Sequence, residues 1–138
     1  MRNKAKNAAD RLFCSAVIVA GGSSTRMGTD KLLMELRGRP VIERTLTAFE
    51  RSAYVDEIVV VTRGEIIPTV ANIAREAGIR KLKSVVTGGA DRTASSWAGV
   101  QECSQHAGLI AIHDAARPLV TQEIIENAVR AAQQRGAA

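Results

Sequence analysis

The chain has 138 residues, of which 46% are hydrophobic and 24% are charged, and this composition is typical of a globular domain and argues against a disordered chain. The length suffices for one domain with a hydrophobic core and is too short for two ordinary domains. No apolar run approaches the ~20 residues of a membrane-spanning helix, and the polar N-terminus does not resemble a signal peptide, so we expect a cytoplasmic protein without membrane contacts.

The formal net charge of +5 is concentrated at the N-terminus. Residues 1–11 contain four basic side chains and the single acid Asp10, and we interpret them as a basic flexible tail that precedes a domain at residues 12–138. In that domain the charges nearly balance and aromatic side chains are few, whereas nucleic-acid binders usually carry a basic stripe or aromatic platforms. We therefore expect no nucleic-acid partner. Cys14 and Cys103 lack metal-ligand spacing and are interpreted as reduced, structural thiols.

Four short apolar runs rich in valine and isoleucine recur along the domain. They lie at residues 16–20, at 58–61, at 84–86 with their neighbours, and at 109–112. Continuous runs of this kind are typical of parallel strands that are buried on both faces. The sequence therefore predicts four strands of a parallel sheet.

A helical pattern follows each run. The first begins behind Pro40, and the second covers residues 67–77. Asp91 or Thr93 can cap a third helix, and Thr121 can cap a fourth that ends near residue 135. The predicted inner face of the fourth helix consists of Ile124, Ile125, Ala128, Val129 and Ala132. The order βαβαβαβα predicts an α/β fold with an open, doubly wound, mostly parallel sheet, which binds ligands at the carboxyl ends of its strands.

A loop of small residues follows the first predicted strand. It reads AGGSSTRMGTDK at residues 20–31 and matches neither GxxxxGK[ST] nor GxGxxG, which argues against a P-loop and a dinucleotide-binding turn. Glycines let the backbone approach a ligand, hydroxyl and N–H groups can surround phosphate oxygens, and Arg26 and Lys31 add positive charge. The composition favours a triphosphate site, and the alternative is a tight turn with two solvated cations.

The loop resembles the signature loop of nucleotidyltransferases that activate sugars and related alcohols with a nucleoside triphosphate. Two later motifs, GGADRTAS at residues 88–95 and HDAARP at residues 113–118, are similar to the paired motifs of 2-C-methyl-D-erythritol 4-phosphate cytidylyltransferases. This resemblance covers the chain from about Ser15 to its end. It implies a Rossmann-like nucleotidyltransferase fold that is truncated at the C-terminus, because family members run further. The missing part would hold the arm that forms the family's homodimer, so we do not assign that dimer to this chain.

The resemblance also implies a reaction: CTP would transfer its cytidylyl group to 2-C-methyl-D-erythritol 4-phosphate, a polyol phosphate, with release of pyrophosphate, in non-mevalonate isoprenoid precursor biosynthesis. Arg26 and Lys31 would be catalytic, and Asp114 would bind Mg²⁺. The implied nucleotide contacts are Ala20, Gly21, Gly22, Ser23, Ser24 and Thr25 in the first motif, Gly88, Gly89, Ala90, Arg92 and Ser95 in the second, and Asp114 and Ala115 in the third.

Some assignments have alternatives. The segment before Lys31 is shorter than in many family members, so placing this lysine in the catalytic position requires a gap. Asp114 could instead cap the turn that follows it, and we interpret His113 and Arg117 as structural residues of that turn. A ribitol-phosphate or other sugar-phosphate nucleotidyltransferase is the alternative enzyme, and a non-catalytic nucleotide-binding fragment is the alternative without activity.

Overall fold

The computed structural model describes residues 11–20 and 31–135, and these contain six strands, four α-helices and one short 3-10 helix (Gly64–Ile66). The strands are β1 (Cys14–Val19), β2 (Glu35–Leu36), β3 (Arg39–Pro40), β4 (Glu57–Thr62), β5 (Leu82–Thr87) and β6 (Leu109–Asp114). The helices are α1 (Val41–Glu50), α2 (Ile67–Glu76), α3 (Arg92–Glu102) and α4 (Gln122–Arg135). Each predicted run is a strand and each predicted helical pattern is a helix, so the α/β prediction is confirmed.

The central sheet has the strand order β5-β4-β1-β6, and all of its pairs are parallel. The two middle strands, β1 and β4, are buried over their whole length, as their continuous apolar runs predict. For β5 and β6 the prediction of two buried faces is wrong, because no residue of β5 is fully buried and Ile110 and Ile112 of β6 are 40% and 45% exposed. In the described part of the chain β6 pairs only with β1, so it lies at an edge of the sheet.

Helices cover both faces of the sheet. One face carries Ala16, Ile18, Ile58 and Val60, which pack in a single core with buried side chains of α1, α2 and α4. Val17, Val19, Val59 and Val61 form a smaller cluster on the opposite face. Gly99 of α3 lies directly against Val17 and Val61 there. The sheet is therefore doubly wound.

The helix caps agree with the sequence analysis, whereas the predicted inner face of α4 is too wide. Asp91, rather than Thr93, caps α3 and accepts a 2.8 Å hydrogen bond from the amide of Ala94. Thr121 Oγ1 accepts a 3.1 Å bond from the amide of Ile124 at the start of α4. On α4 only Ile125 and Val129 of the predicted inner face are buried. Ile124 is 56% exposed, because only a narrow stripe of α4 packs against the edge of the sheet.

Arg11 anchors the start of β1, although the sequence analysis placed it in the basic tail. Its guanidinium donates two hydrogen bonds, of 2.7 and 2.8 Å, to the carboxylate of Asp56, which also accepts a 2.9 Å bond from the amide of Cys14. These bonds hold the pKa of Asp56 below its ordinary value. The folded domain therefore includes Arg11, and residues 1–10 lie outside the described part of the chain.

A short hairpin, β2–β3, was not predicted. Its two turn residues, Arg37 and Gly38, have φ angles of +55° and +84°. Two successive positive φ angles are typical of the tight hairpin turn that usually contains Asn-Gly. Here arginine stands in place of asparagine, so only the glycine of that turn signal is present in the sequence.

No helix among the described residues is long and apolar enough to cross a bilayer. Both cysteines carry free thiols, and burial raises the pKa of Cys14 to about 11.

Candidate functional site

The carboxyl edge of the sheet carries Ala20, which begins the first sequence motif, together with the second and third motifs. The chain passes from β1 to β4 and β5 on one side and returns to β6 on the other, so the order of strands reverses beside β1. In open α/β sheets this switch point is where ligands bind. Three backbone hydrogen bonds continue the ladders past the strand ends and fix one residue of each motif at this edge: Ala20 N to Val61 O (2.6 Å), Gly88 N to Thr62 O (2.9 Å) and Ala115 N to Val19 O (2.9 Å).

The glycines of the second motif are fixed by close packing against α3. A Cβ on Gly88 would lie 2.5 Å from the Oγ of Ser95, and a Cβ on Gly89 would lie 2.4 Å from the Cβ of Ala94. The amide of Gly89 donates a 3.1 Å hydrogen bond to Ser95 Oγ. Ser95 is fully buried, so its hydroxyl acts within the protein to hold the turn. Ala90 and Arg92 are exposed at the same turn and are open to a ligand.

Asp114 ends β6 and caps the turn that follows. Its Oδ1 accepts a 2.9 Å hydrogen bond from the amide of Ala116, and its carbonyl accepts a 3.1 Å bond from the amide of Arg117. Its Oδ2 is 3.9 Å from Arg117 Nε, beyond hydrogen-bond distance. Oδ1 of Asp114 therefore caps the turn, and Oδ2 stays available to a ligand.

His113 and Arg117 both support the same turn. His113 Nε2 lies 3.1 Å from the carbonyl oxygen of Arg117, and the ring packs at 5.1 Å between centroids on Phe49 of α1. These contacts agree with a structural role for His113. The support from Arg117 comes from its main chain, because its side chain is 78% exposed.

The residues present fit a magnesium ion only in one binding mode. The described residues contain no group of three or more His, Cys, Asp or Glu side chains that could hold a metal by themselves. Magnesium is commonly held by one or two carboxylates together with substrate phosphates and water. Asp114 Oδ2 can supply such a carboxylate, so the site fits an ion that arrives with a phosphate ligand.

Part of the predicted site lies outside the described residues: Gly21, Gly22, Ser23, Ser24, Thr25 and the predicted catalytic Arg26. Ala20 is half-buried at the sheet edge, where its amide continues the ladder. Lys31 is exposed, and it directly precedes Leu32, which is buried in the main core. The burial of Leu32 therefore anchors the chain directly after Lys31.

Two polar residues at this edge were missed by the sequence analysis. Thr62 and Arg63 end β4, between the first and second motifs in space. Thr62 is fully buried, and Arg63 has a side chain that is 34% exposed. The sequence could have indicated them, because they directly follow the apolar run at residues 58–61, and ligand-binding residues of parallel sheets lie at the carboxyl ends of the strands.

The family model of 2-C-methyl-D-erythritol 4-phosphate cytidylyltransferase matches residues 14–138. The Lachnospira eligens protein of that name is 44% identical over 113 residues, which are 80% of this chain and 49% of that protein. The Clostridium botulinum (strain Langeland) protein of that name is 38% identical over 126 residues, which are 90% of this chain and 55% of that protein. The chain thus spans about half the length of these curated relatives.

A solved structure shows the same fold. The 4-diphosphocytidyl-2C-methyl-D-erythritol synthase from Anaerococcus prevotii superposes with a TM-score of 0.80 at 28% identity, covering 93% of this chain and 54% of that one. The match of the family model extends over β1, the Gly88 turn and the Asp114 turn, which the sheet brings to one edge. The chain therefore belongs to the 2-C-methyl-D-erythritol 4-phosphate cytidylyltransferase family.

Proposed function

We propose that this chain supplies the CTP-binding site of a cytidylyltransferase that forms a diphosphate link between CMP and 2-C-methyl-D-erythritol 4-phosphate and releases pyrophosphate. The observation that carries the proposal is that Ala20, the Gly88 turn and the Asp114 turn all lie at the carboxyl edge of the sheet, within a family match over residues 14–138. We place this reaction in the cytoplasm, as a step of isoprenoid precursor synthesis. The family match does not favour a ribitol-phosphate enzyme.

The geometry suggests how the nucleotide lies. The Gly88–Gly89 turn, which packs on α3, would hold the base and ribose next to β4 and β5. Asp114, at the end of β6, would face the phosphates, together with the loop that follows β1. Magnesium, when bound with the triphosphate, supplies positive charge that stabilises the leaving pyrophosphate. Asp114 Oδ2 would hold that ion, while Oδ1 keeps the turn in place.

The chemistry requires positioning and charge stabilisation rather than proton removal. A phosphate oxygen of the acceptor attacks the α-phosphorus of CTP, the bond from that phosphorus to the bridging oxygen breaks, and pyrophosphate leaves with the electron pair. The attacking phosphate is already ionised, so no general base is needed. This agrees with the engagement of His113 by Phe49 and by the carbonyl of Arg117. Arg26 and Lys31 would stabilise the charge that develops on the α-phosphate.

Beside the Asp114 turn lies an open cavity of about 420 Å³, lined by His113, Arg117, Pro118, Leu119, Val120 and Ile124. Among the lining residues Arg117 is the one that is always positively charged, and its side chain is 78% exposed. We propose this cavity as the side from which the acceptor approaches, because it adjoins the carboxylate that would face the phosphates.

The test measures CTP binding by this chain with Mg²⁺ by calorimetry, and pyrophosphate release by a protein extended to the length of its relatives, after addition of 2-C-methyl-D-erythritol 4-phosphate or ribitol 5-phosphate. We expect CTP binding, and faster release with the methylerythritol compound. Arg26→Ala and Lys31→Ala should each lower the rate by about 100-fold, the scale for removing a charge-stabilising donor, while Arg75→Ala on the exposed side of α2 should not. Faster release with ribitol 5-phosphate would contradict the acceptor, and an absence of CTP binding would contradict the nucleotide.

A further inference from the structure

Two adjacent residues carry buried polar atoms that lack a partner. Within residues 11–20 and 31–135, the buried side-chain atoms without a hydrogen bond are Thr62 Oγ1 and Arg63 Nε. Buried polar groups in native proteins are nearly always paired, and an unpaired one is destabilising. Both atoms lie at the carboxyl end of β4, which is the ligand-binding edge of the sheet. Thr62 is fully buried, so of the two residues only Arg63, whose side chain is 34% exposed, can reach a ligand at this edge.

The direction of Arg63 follows from the pleat. Successive side chains of a strand alternate between faces, and Arg63 continues the extended backbone with φ −72° and ψ 146°. It therefore leaves the sheet on the face of Val61, two residues earlier. A Cβ on Gly88 would lie 3.1 Å from Val61 Cγ1, so this face at the end of β4 is where the Gly88 turn packs. Arg63 is thus next to the motif assigned to the base and ribose.

The protein provides only a weak counter-charge for Arg63. The nearest ion pair among the described residues joins Arg63 Nε to Glu65 Oε1 at 3.9 Å, which is too long for a hydrogen bond. The Glu65 side chain is 72% exposed, and exposed pairs of this kind contribute little to stability. The planar guanidinium has five N–H donors, and the Arg63 side chain as a whole is 34% exposed. It can therefore donate to acceptor atoms of a bound molecule.

We propose that Arg63 is a nucleotide-contacting residue that donates hydrogen bonds to the nucleoside part of CTP, and not to its triphosphate. This inference rests on the proposed function. β4 lies one strand spacing from β5 and one from β1, and two spacings, about 10 Å in all, from β6 with Asp114. Arg63 is assigned to the nucleoside because its side chain leaves the sheet on the face of Val61, where the Gly88 turn packs. Base and ribose oxygens, together with the unprotonated ring nitrogen of cytosine, are acceptors that match the guanidinium donors.

The experiment compares CTP and CMP, which share the nucleoside and differ in phosphates. Calorimetry with Mg²⁺ measures both affinities for the wild-type chain, Arg63→Gln, Arg63→Lys and the matched control Arg75→Gln on α2. Arg63→Gln should weaken both nucleotides by the same factor, at least about 10-fold, which is the scale of a hydrogen bond to a charged group. The affinities of Arg63→Lys should lie between those of the wild type and those of Arg63→Gln, because lysine keeps the charge and loses the planar fork of donors. Arg75→Gln should bind as the wild type does.

A loss of CTP affinity with unchanged CMP affinity would overturn the proposal, since it would place Arg63 at the phosphates. Unchanged affinity for both nucleotides would overturn it as well, while leaving the proposed function intact. If the wild-type chain bound neither nucleotide, the proposed function would fail and this inference with it. Glu65→Gln gives a second test that leaves the cation and the fold in place. It should tighten both nucleotides about twofold by removing a surface counter-charge, and weaker binding would contradict the proposal.

Discussion

The hydroxyl of Thr45 donates a 2.8 Å hydrogen bond to the carbonyl oxygen of Ala115 and thereby joins the middle of α1 to the turn that carries Asp114. Both residues are fully buried. The amide of Ala115 is bonded in turn to Val19 of β1. The position of Asp114 thus depends on contacts from the neighbouring strand and from a helix that is distant in sequence.

Thr45→Val should destabilise the fold, because it keeps the side-chain shape and leaves the buried carbonyl of Ala115 without its donor. The expected loss is about 1–3 kcal/mol in the free energy of unfolding, measured in urea. Thr45→Ser retains the hydroxyl and serves as the control for the bond. If Thr45→Val were as stable as the wild type, the bond would not hold the turn.

Gly99→Ala should also destabilise the protein, although alanine is the better helix former by about 1 kcal/mol. The added Cβ would lie 2.4 Å from Val17 Cγ1 and 2.8 Å from Val61 Cγ2, and these side chains belong to the rigid centre of the sheet. The overpacking should exceed the gain in propensity, with a net loss of about 1–3 kcal/mol. The control is Gly64→Ala, whose Cβ would meet Thr87 Oγ1 at an ordinary 3.6 Å. Equal stability of the two variants would refute the close approach of α3.

Asp56→Asn should remove a pH-dependent part of the stability. The hydrogen bonds from Arg11 lower the pKa of Asp56 in the folded state, so this contribution is complete above the ordinary aspartate pKa of about 3.9 and is lost as pH falls through the lower, folded pKa. At pH 7 we expect the variant to lose about 1–3 kcal/mol. Denaturation at several pH values should show the difference from wild type shrinking below about pH 4. A constant difference down to pH 2 would show that Asp56 does not act through its charge.

Asp114→Asn separates the two roles of this side chain. The amide oxygen of asparagine can still accept the bond from Ala116, while the negative charge that magnesium requires is removed. CTP affinity should therefore fall more in the presence of Mg²⁺ than in EDTA, as measured by calorimetry under both conditions. An equal loss in both would mean that Asp114 is a structural cap only.

Hydrophobic pattern was enough to predict the four strands of the central sheet and the four helices, because a strand buried on both faces leaves a continuous apolar run and a helix that packs by one face leaves a stripe with helical spacing. The pattern could not show that β6 is an edge strand, since the exposure of Ile112 depends on which strands lie beside it. For the same reason it could not separate Ile125, which is buried, from Ile124, which is exposed. Local sequence decides the periodicity, and tertiary arrangement decides how wide the buried stripe is.

The candidate site was predictable only where its residues stand in recognisable motifs. Asp114 and the Gly88 turn were found in this way, and the structure places them on one sheet edge. Arg63 has no motif around it, and its significance comes from an unpaired buried atom that only coordinates reveal. Thr45 lies in the helix that was predicted behind Pro40, but its bond to Ala115 spans 70 positions of sequence and has no local signal.

The most direct test of the account is a comparison of CTP, UTP, GTP and ATP binding in the presence of Mg²⁺. Trp97 lies on α3 two residues beyond Ser95 and is 60% exposed, so its fluorescence should report events at the Gly88 turn. Titrations followed by this fluorescence and repeated by calorimetry should show the tightest binding for CTP, since the turn would match one base edge. Equal affinity for all four nucleotides, or for none, would contradict the assignment of this edge as a CTP site.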